Sequence, residues 1–192
     1  MTITTNRIMT LAEYLNYDDG TDTRYELVNG ELVEMPSESD VNQAIAIFLL
    51  FAFGQFIPPR LLRRGTEIVV TGSRTTTRIP DLIVLTEELA TVLSGTTRSI
   101  ITSDMPPPAL VVEIVSPGTE NEQRDYRYKR SEYGARGITE YWLVDPQRAV
   151  VIVLTLVAGF YEEALFQGSD PIASSTFPNL QLTAAQILLA SN

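Results

Sequence analysis

The sequence predicts a single mixed α/β domain built around a central sheet. Three observations carry that expectation. Between residues 40 and 145, apolar runs of β character and helical patterns follow the order helix, strand, strand, strand, helix, strand. Hairpin signals flank this core on both sides, at Asn29-Gly30 and at Ala158-Gly159. Hydrophobic residues make up 44% of the 192-residue chain, enough to bury a core. The domain spans 1–192, with its core at about 38–146.

The elements follow in order. Thr10-Leu11-Ala12-Glu13 has capping-box spacing and opens a short helix. An acidic loop over 17–23 leads into alternating runs on either side of Asn29-Gly30. A two-residue turn there sets Val28 against Glu31 and Glu26 against Val33, which leaves Glu26 among apolar neighbours. Ser37 or Ser39 caps a helix from Val41 to about Phe56, apolar nearly all round and so expected to be buried. Pro58-Pro59 stops it. Residues 61–71 read as one strand with a possible bulge at Gly65, 72–77 as a turn and 79–85 as a second strand. Within the poorly patterned stretch 86–108, residues 87–93 read as a short helix. Residues 109–115 form a continuous apolar run, the mark of a central strand. Thr119-Glu120-Asn121-Glu122 has capping-box spacing and opens a helix to about Gly134. A strand at 138–144, the hairpin 150–166 and a last helix at 183–189 complete the chain.

Composition excludes several chemistries. Without cysteine there is no disulfide framework and no thiolate metal site. Without histidine there is no Ser-His triad, imidazole base or ordinary zinc site. Acid–base work must fall to Asp, Glu, Lys, Tyr or water. No basic-then-apolar leader is apparent over residues 1–6. The longest apolar stretch, 44–53, is about half of a membrane span. A soluble, cytoplasmic protein with no membrane partner and no organic cofactor is expected. The net charge is −10, unevenly spread. Residues 60–78 hold five arginines and one acid, and 124–136 hold five cations and two acids, so an acidic chain can still present a basic face.

Two apolar strands each carry one carboxylate. Asp81 shares a strand face with Ile83 and Leu85; it also fits simple turn chemistry after Pro80, paired with Arg78. Glu113 interrupts the most apolar β run, where a carboxylate needs a partner; a buried salt bridge to an arginine is the plain alternative. Lys129 is the only lysine beside thirteen arginines. An ammonium is a compact charge that can position or activate a water. Asp125, Lys129 and Tyr133 fall at i, i+4 and i+8 on one helix face. With no His or Cys, the fitting ion for such a set is hard, Mg²⁺ or Mn²⁺. Phosphodiester hydrolysis is the reaction class that needs it.

At these residues the sequence resembles a known family. Tyr25-Glu26-Leu27-Val28-Asn29-Gly30-Glu31, Ile79-Pro80-Asp81, Val112-Glu113-Ile114-Val115-Ser116-Pro117, then Asp125, Lys129 and Tyr133, and Glu140 to Pro146 are similar to the Uma-type restriction endonucleases. That family belongs to the PD-(D/E)XK nuclease-like superfamily. The resemblance implies a restriction-endonuclease-like core and metal-dependent DNA endonuclease activity. It implies Asp81, Glu113 and the backbone carbonyl of Ile114 as metal ligands. Lys129 becomes the catalytic lysine and Glu26 an additional acid near the metal, with Asp125, Tyr133 and Asn42 in support. Two departures stand out. The superfamily lysine two residues after the strand acid is Val115 here, with Lys129 supplying it from the helix. Many relatives carry a histidine early in the first core helix, where this chain has Asn42. The alternative is a nuclease-like domain without turnover that binds nucleic acid or a protein. A two-carboxylate hydrolase of the glycosidase type is a third reading. A homodimer is expected, since two sites serve two strands, with the hairpin 150–166 as interface.

Overall fold

The computed structural model describes residues 8–70 and 74–190. Helix α1 (Leu11–Leu15) has the capping box: the Glu13 N–H donates to the Thr10 hydroxyl, and the Glu13 carboxylate accepts from the Thr10 N–H. Strands β1 (Tyr25–Val28) and β2 (Glu31–Glu34) pair Val28 with Glu31 and Glu26 with Val33. Asn29 and Gly30 both sit at positive φ, as this turn requires.

Helix α2 (Asp40–Phe53) is capped by Ser39, whose hydroxyl accepts from the Asn42 N–H. Burial on all sides is not observed. Ile45, Ala46, Leu49 and Phe53 meet the sheet, while Ile47 and Phe51 are 46% and 69% exposed. The helix lies on one outer face, so only one stripe of its apolar surface finds a partner.

The strand expected over 61–71 is two strands. β3 (Leu62–Arg63) and β4 (Glu67–Val70) belong to different sheets. Gly65 between them sits at φ +73°, where the chain turns from one sheet to the other. The turn expected at 72–77 lies partly outside the described residues, and its end, Thr76–Arg78, is strand β5. β6 is shorter than expected, Leu82–Val84. Helix α3 (Glu87–Leu93) is where the pattern placed it, capped by Thr86. The two-residue strand β7 (Ile100–Ile101) was not anticipated.

β8 (Leu110–Ile114) is the central strand. The following helix runs as α4 (Thr119–Gln123), a π-helical stretch (Arg124–Lys129) and α5 (Arg130–Arg136). The Glu122 carboxylate pairs with Arg148. Gly137 ends α5 in the left-handed conformation. β9 (Glu140–Asp145), β10 (Val150–Val157) and β11 (Phe160–Gln167) follow, and α6 (Ala184–Leu188) closes the fold.

The main sheet has the order β11-β10-β9-β8-β6-β3. Only β8 and β9 pair in parallel within it, joined by the helical crossover that such a pair requires. A smaller sheet has the order β5-β4-β7. Side-chain parity splits the main sheet into two cores. Leu82, Val112 and Trp142 face α2 and α6. Trp142 meets Phe53 edge-on at 5.4 Å, a contact worth about 1 kcal/mol beyond its burial. Ile83, Val111 and Tyr141 face the opposite side, with Tyr133 of α5 and Leu89 of α3. Among the described residues no helix is long and apolar enough to cross a membrane.

Candidate active site

Strand register brings the two acids together. β6 and β8 pair Leu82 with Val112 and Ile83 with Val111. One step further along that register sets Asp81 across from Glu113. Both side chains have the parity of Ile83 and Val111, the face covered by the α4–α5 helix. The Ile114 N–H donates to Asp81 Oδ2 at 2.6 Å, which fixes the carboxylate at the strand edge.

The helix supplies the cation. Lys129 Nζ lies 2.6 Å from Glu113 Oε2 and 3.1 Å from Asp125 Oδ1. Tyr133 donates its hydroxyl to Glu113 Oε1 at 2.6 Å, and Arg124 Nε donates to Asp125 Oδ1 at 3.0 Å. The π-helical stretch has a physical cause: the buried Tyr141 hydroxyl donates to the Asp125 carbonyl at 3.0 Å. A side chain bonding into the helical ladder is one of the recognised origins of a wide turn.

Asp81, Glu113, Ile114, Lys129, Arg124 and Glu26 line one cleft of about 670 Å³. Asp125 and Tyr133 stand behind its wall as buried supports. Asn42 also lines the cleft, and its Nδ2 donates to the Ile114 carbonyl at 2.9 Å and to the Ser116 hydroxyl at 3.1 Å. Helix α2 is thereby tied to the backbone group singled out as a ligand. Glu26 is engaged at both oxygens, by Arg78 Nη1 at 3.1 Å and by the Ile79 N–H at 2.9 Å. Arg78 also holds Glu132 at 2.7 Å. This triad, buried at Glu26 and Arg78 and half-buried at Glu132, joins the β1–β2 hairpin to α5, and Glu26 forms cleft wall through it. Arg78 does not pair with Asp81, and the partner of Glu113 is the lysine rather than an arginine.

Electrostatics separate the roles. Burial pushes Asp81 from its usual 3.8 up to about 6, opposed by the Ile114 N–H and by Lys129. Burial likewise pushes Glu113 up to about 8, with Asp125 and Asp81 adding to the rise. Burial disfavours the Lys129 ammonium, but Asp125 and Glu113 outweigh it and hold its pKa above the usual value. Asp125 is buried too, and Lys129 and Arg124 still keep it below the ordinary carboxylate range. Lys129 is therefore a fixed ammonium at neutral pH. As an ammonium it can donate a hydrogen bond and stabilise negative charge.

Among the described residues no group of three or more His, Cys, Asp or Glu is arranged to hold a metal ion. The candidate set is smaller: two facing carboxylates and one carbonyl. It fits a hard divalent cation on two grounds. All the donors are oxygens, and both carboxyls resist ionisation because both are buried, with the Asp81 charge adding to the rise at Glu113. A cation between them would relieve both causes.

A pH prediction follows from these shifts. A carboxyl with a raised folded-state pKa binds its proton more tightly folded than unfolded, so stability falls as that proton is lost. Asp81 and Glu113 place this loss between about pH 4 and pH 8. The carboxyls with lowered values, Asp19, Asp104 and Asp125, act below that window. In EDTA, the melting temperature is expected to fall from pH 5 to pH 8. Mg²⁺ should reverse the fall at pH 8. A flat profile in EDTA would contradict the site's electrostatics.

Comparison with known proteins decides the family. Residues 11–185 match the Uma2 family, described as "Putative restriction endonuclease". The chain belongs to the Uma2 family. A crystal structure of a "putative nuclease belonging to DUF820" from Anabaena variabilis ATCC 29413 has the same fold, with a TM-score of 0.71. The two are 17% identical, and the match covers 96% of this chain and 99% of that one. No curated protein matches. Membership agrees with the resemblance carried by the Asp81, Glu113 and Lys129 motifs, and the shared fold is the restriction-endonuclease-like core that the resemblance implied. For this Uma2 chain, sequence reasoning singled out Glu26, Asp81, Glu113 and Lys129 of the cleft lining but not Asp22, Glu34 or Glu38. It offered Arg78 to Asp81 rather than to Glu26 and Glu132, and it did not single out Arg64 or Arg124. The only signal for them was the clustering of arginines in 60–78 and 124–136.

Proposed function

We propose that this cleft is a metal-dependent nuclease site hydrolysing phosphodiester bonds of DNA. One observation carries the reading: Asp81, just before β6, is held by the N–H of Ile114 next to Glu113 on β8, with the only lysine 2.6 Å from Glu113, and all of them line one cleft. Asp81, Glu113 and the Ile114 carbonyl would hold Mg²⁺ or Mn²⁺. Such an ion, when bound, supplies Lewis-acid polarisation of a phosphoryl oxygen.

The chain's own groups do the rest. Asp81 Oδ2 is held by the Ile114 N–H, and no hydrogen bond among the described residues reaches Oδ1. That oxygen is available to a ligand. Asn42 orients the Ile114 carbonyl. Tyr133 stays protonated, its pKa raised by burial and by Glu113, and so remains a donor that fixes the Glu113 rotamer. Lys129 donates from a charged Nζ, which suits orienting an incoming water and stabilising charge on a pentacovalent phosphorus. Asp125 keeps it charged. A water attacking the phosphorus must give up a proton, and Glu113 or Asp81 can accept it once ionised.

Supercoiled plasmid or single-stranded circular DNA with Mg²⁺ or Mn²⁺ should be nicked, and EDTA should stop the reaction. No nicking of either DNA with either ion would refute the enzyme reading. A second reading has one observation in its favour: both Glu113 oxygens are already engaged, by Lys129 and Tyr133. A nuclease-like domain that binds without turnover would show the same closed arrangement. It predicts salt-dependent DNA binding with no cleavage.

We also propose a two-fold dimer through the C-terminal hairpin. β11 is an edge strand of the main sheet, and Phe160 and Leu165 on it are exposed. Light scattering should return twice the 21.3 kDa chain mass. A mass of one chain at micromolar concentration would refute it.

A further inference from the structure

We propose that Arg124 and Arg64 are phosphate anchors of this cleft, and that its occupant is one unpaired nucleic-acid strand rather than a duplex. The inference rests on the nuclease reading and adds the substrate class and two recognition residues.

Arg124 lines the cleft with its side chain 16% exposed. Its Nε is engaged by Asp125, but its two Nη groups carry no hydrogen bond among the described residues. Neither is sealed in the interior, since Arg136 Nε alone among the described side-chain atoms is buried without a partner. The fork therefore faces the cleft. A guanidinium pinned at Nε with both Nη groups available is preorganised for a phosphate.

Arg64 is held in a similar way. Its Nε donates to the Asp81 carbonyl at 3.1 Å and its Nη2 pairs with Glu38 at 2.5 Å, which leaves Nη1 without a hydrogen bond. One anchor is thus tied to the strand that carries Asp81, the other to the helix that carries Lys129. Phosphates of a strand crossing between those elements would meet an arginine at each.

Shape and charge favour a single strand. Glu113 and Lys129 are 4% and 3% exposed, recessed behind Val33 and Glu26 of the hairpin and Met35 of the loop after it. A cleft of about 670 Å³ is pocket-sized. Specific duplex interfaces spread over roughly 1,000–2,500 Å² of protein surface. The lining also carries Asp22 and Glu34, with Arg24 beside them and Glu38 paired to Arg64. These acids repel a duplex, with one charge per about 1.7 Å of axis, more than a lone strand with about half that density.

The test is binding in EDTA, so that cleavage plays no part. A fluorescent single-stranded DNA of about 12 nucleotides should bind the full chain. Arg124→Ala and Arg64→Ala should each weaken binding about tenfold and each lower the salt slope by about 0.7. Arg124→Gln, which keeps most of the packing, should behave like Arg124→Ala, with an unchanged far-ultraviolet spectrum. Arg148→Ala, outside the cleft, should bind like the parent. An unlabelled duplex should compete worse than an unlabelled single strand. Parent-like affinity and slope in both arginine variants would overturn the anchors while leaving the nuclease reading intact. Stronger competition by the duplex would overturn the single-strand assignment. Failure to bind either nucleic acid in EDTA would overturn this inference, while cleavage with Mg²⁺ or Mn²⁺ would still uphold the nuclease reading.

Discussion

Lys129→Met is expected to lower Mg²⁺-dependent nicking by at least about 10²-fold, the scale of removing one charged donor from a reacting oxyanion. The stability change should be as informative as the activity change. Nζ sits between Glu113 and Asp125, and all three side chains are buried. Removing one member of a buried ionic cluster costs about 3–5 kcal/mol, because the remaining charge is left uncompensated. Arg124 still holds Asp125, so the loss falls mainly on Glu113. Glu113 can escape by keeping its proton, which its raised pKa already favours. The cost should therefore be large at pH 9 and small at pH 6, measured by urea denaturation. A variant that nicks at the parental rate would remove Lys129 from the mechanism. A cost independent of pH would mean that Glu113 is not the group left exposed.

Asp81→Asn is the second variant with a large expected effect, and its two readouts should move in opposite directions. Cleavage should fall by about 10²–10³-fold, since one of two charged ligand oxygens is replaced by a neutral one. Metal-free stability at pH 8 should hold or rise. The carbonyl oxygen of the introduced amide can still accept from the Ile114 N–H, while the repulsion with Glu113 disappears. The rise in melting temperature on adding Mg²⁺, expected of the parent through ligand linkage, should be lost. A variant destabilised in EDTA and still stabilised by Mg²⁺ would remove Asp81 from the ligand set. Such opposition is the usual mark of a site that stores unfavourable electrostatics for function.

Much of the fold was readable because its signals are local. The Asn29-Gly30 turn determined the pairing of four residues on each side. A capping pattern placed α1, and the run 109–115 placed the central strand. The misreadings share one cause, which is dependence on distant partners. Residues 61–71 look like one strand because nothing local says that Leu62 pairs with Val84 while Ile68 pairs with Arg78 and Ile101. The uniform apolarity of α2 could not show which stripe would be left in water. At the site, Asp81, Glu113 and Lys129 were legible because each broke a pattern. The arginines broke none in a chain that uses arginine almost everywhere, so Arg124 looked like ordinary surface charge, and Arg78 was offered to the adjacent Asp81 rather than to the distant Glu26 and Glu132.

The lysine's position on the helix has a further consequence. The two acids are anchored in a six-stranded ladder, but the cation hangs from a stretch whose backbone bonding has been widened at Asp125. Amides of 124–130 should then exchange with solvent through a local opening cheaper than global unfolding. The protein would have two thermal thresholds. On warming, the helix would loosen and carry Lys129 out of reach while the sheet stayed folded. Activity would fade several degrees below the melting temperature, reversibly on cooling.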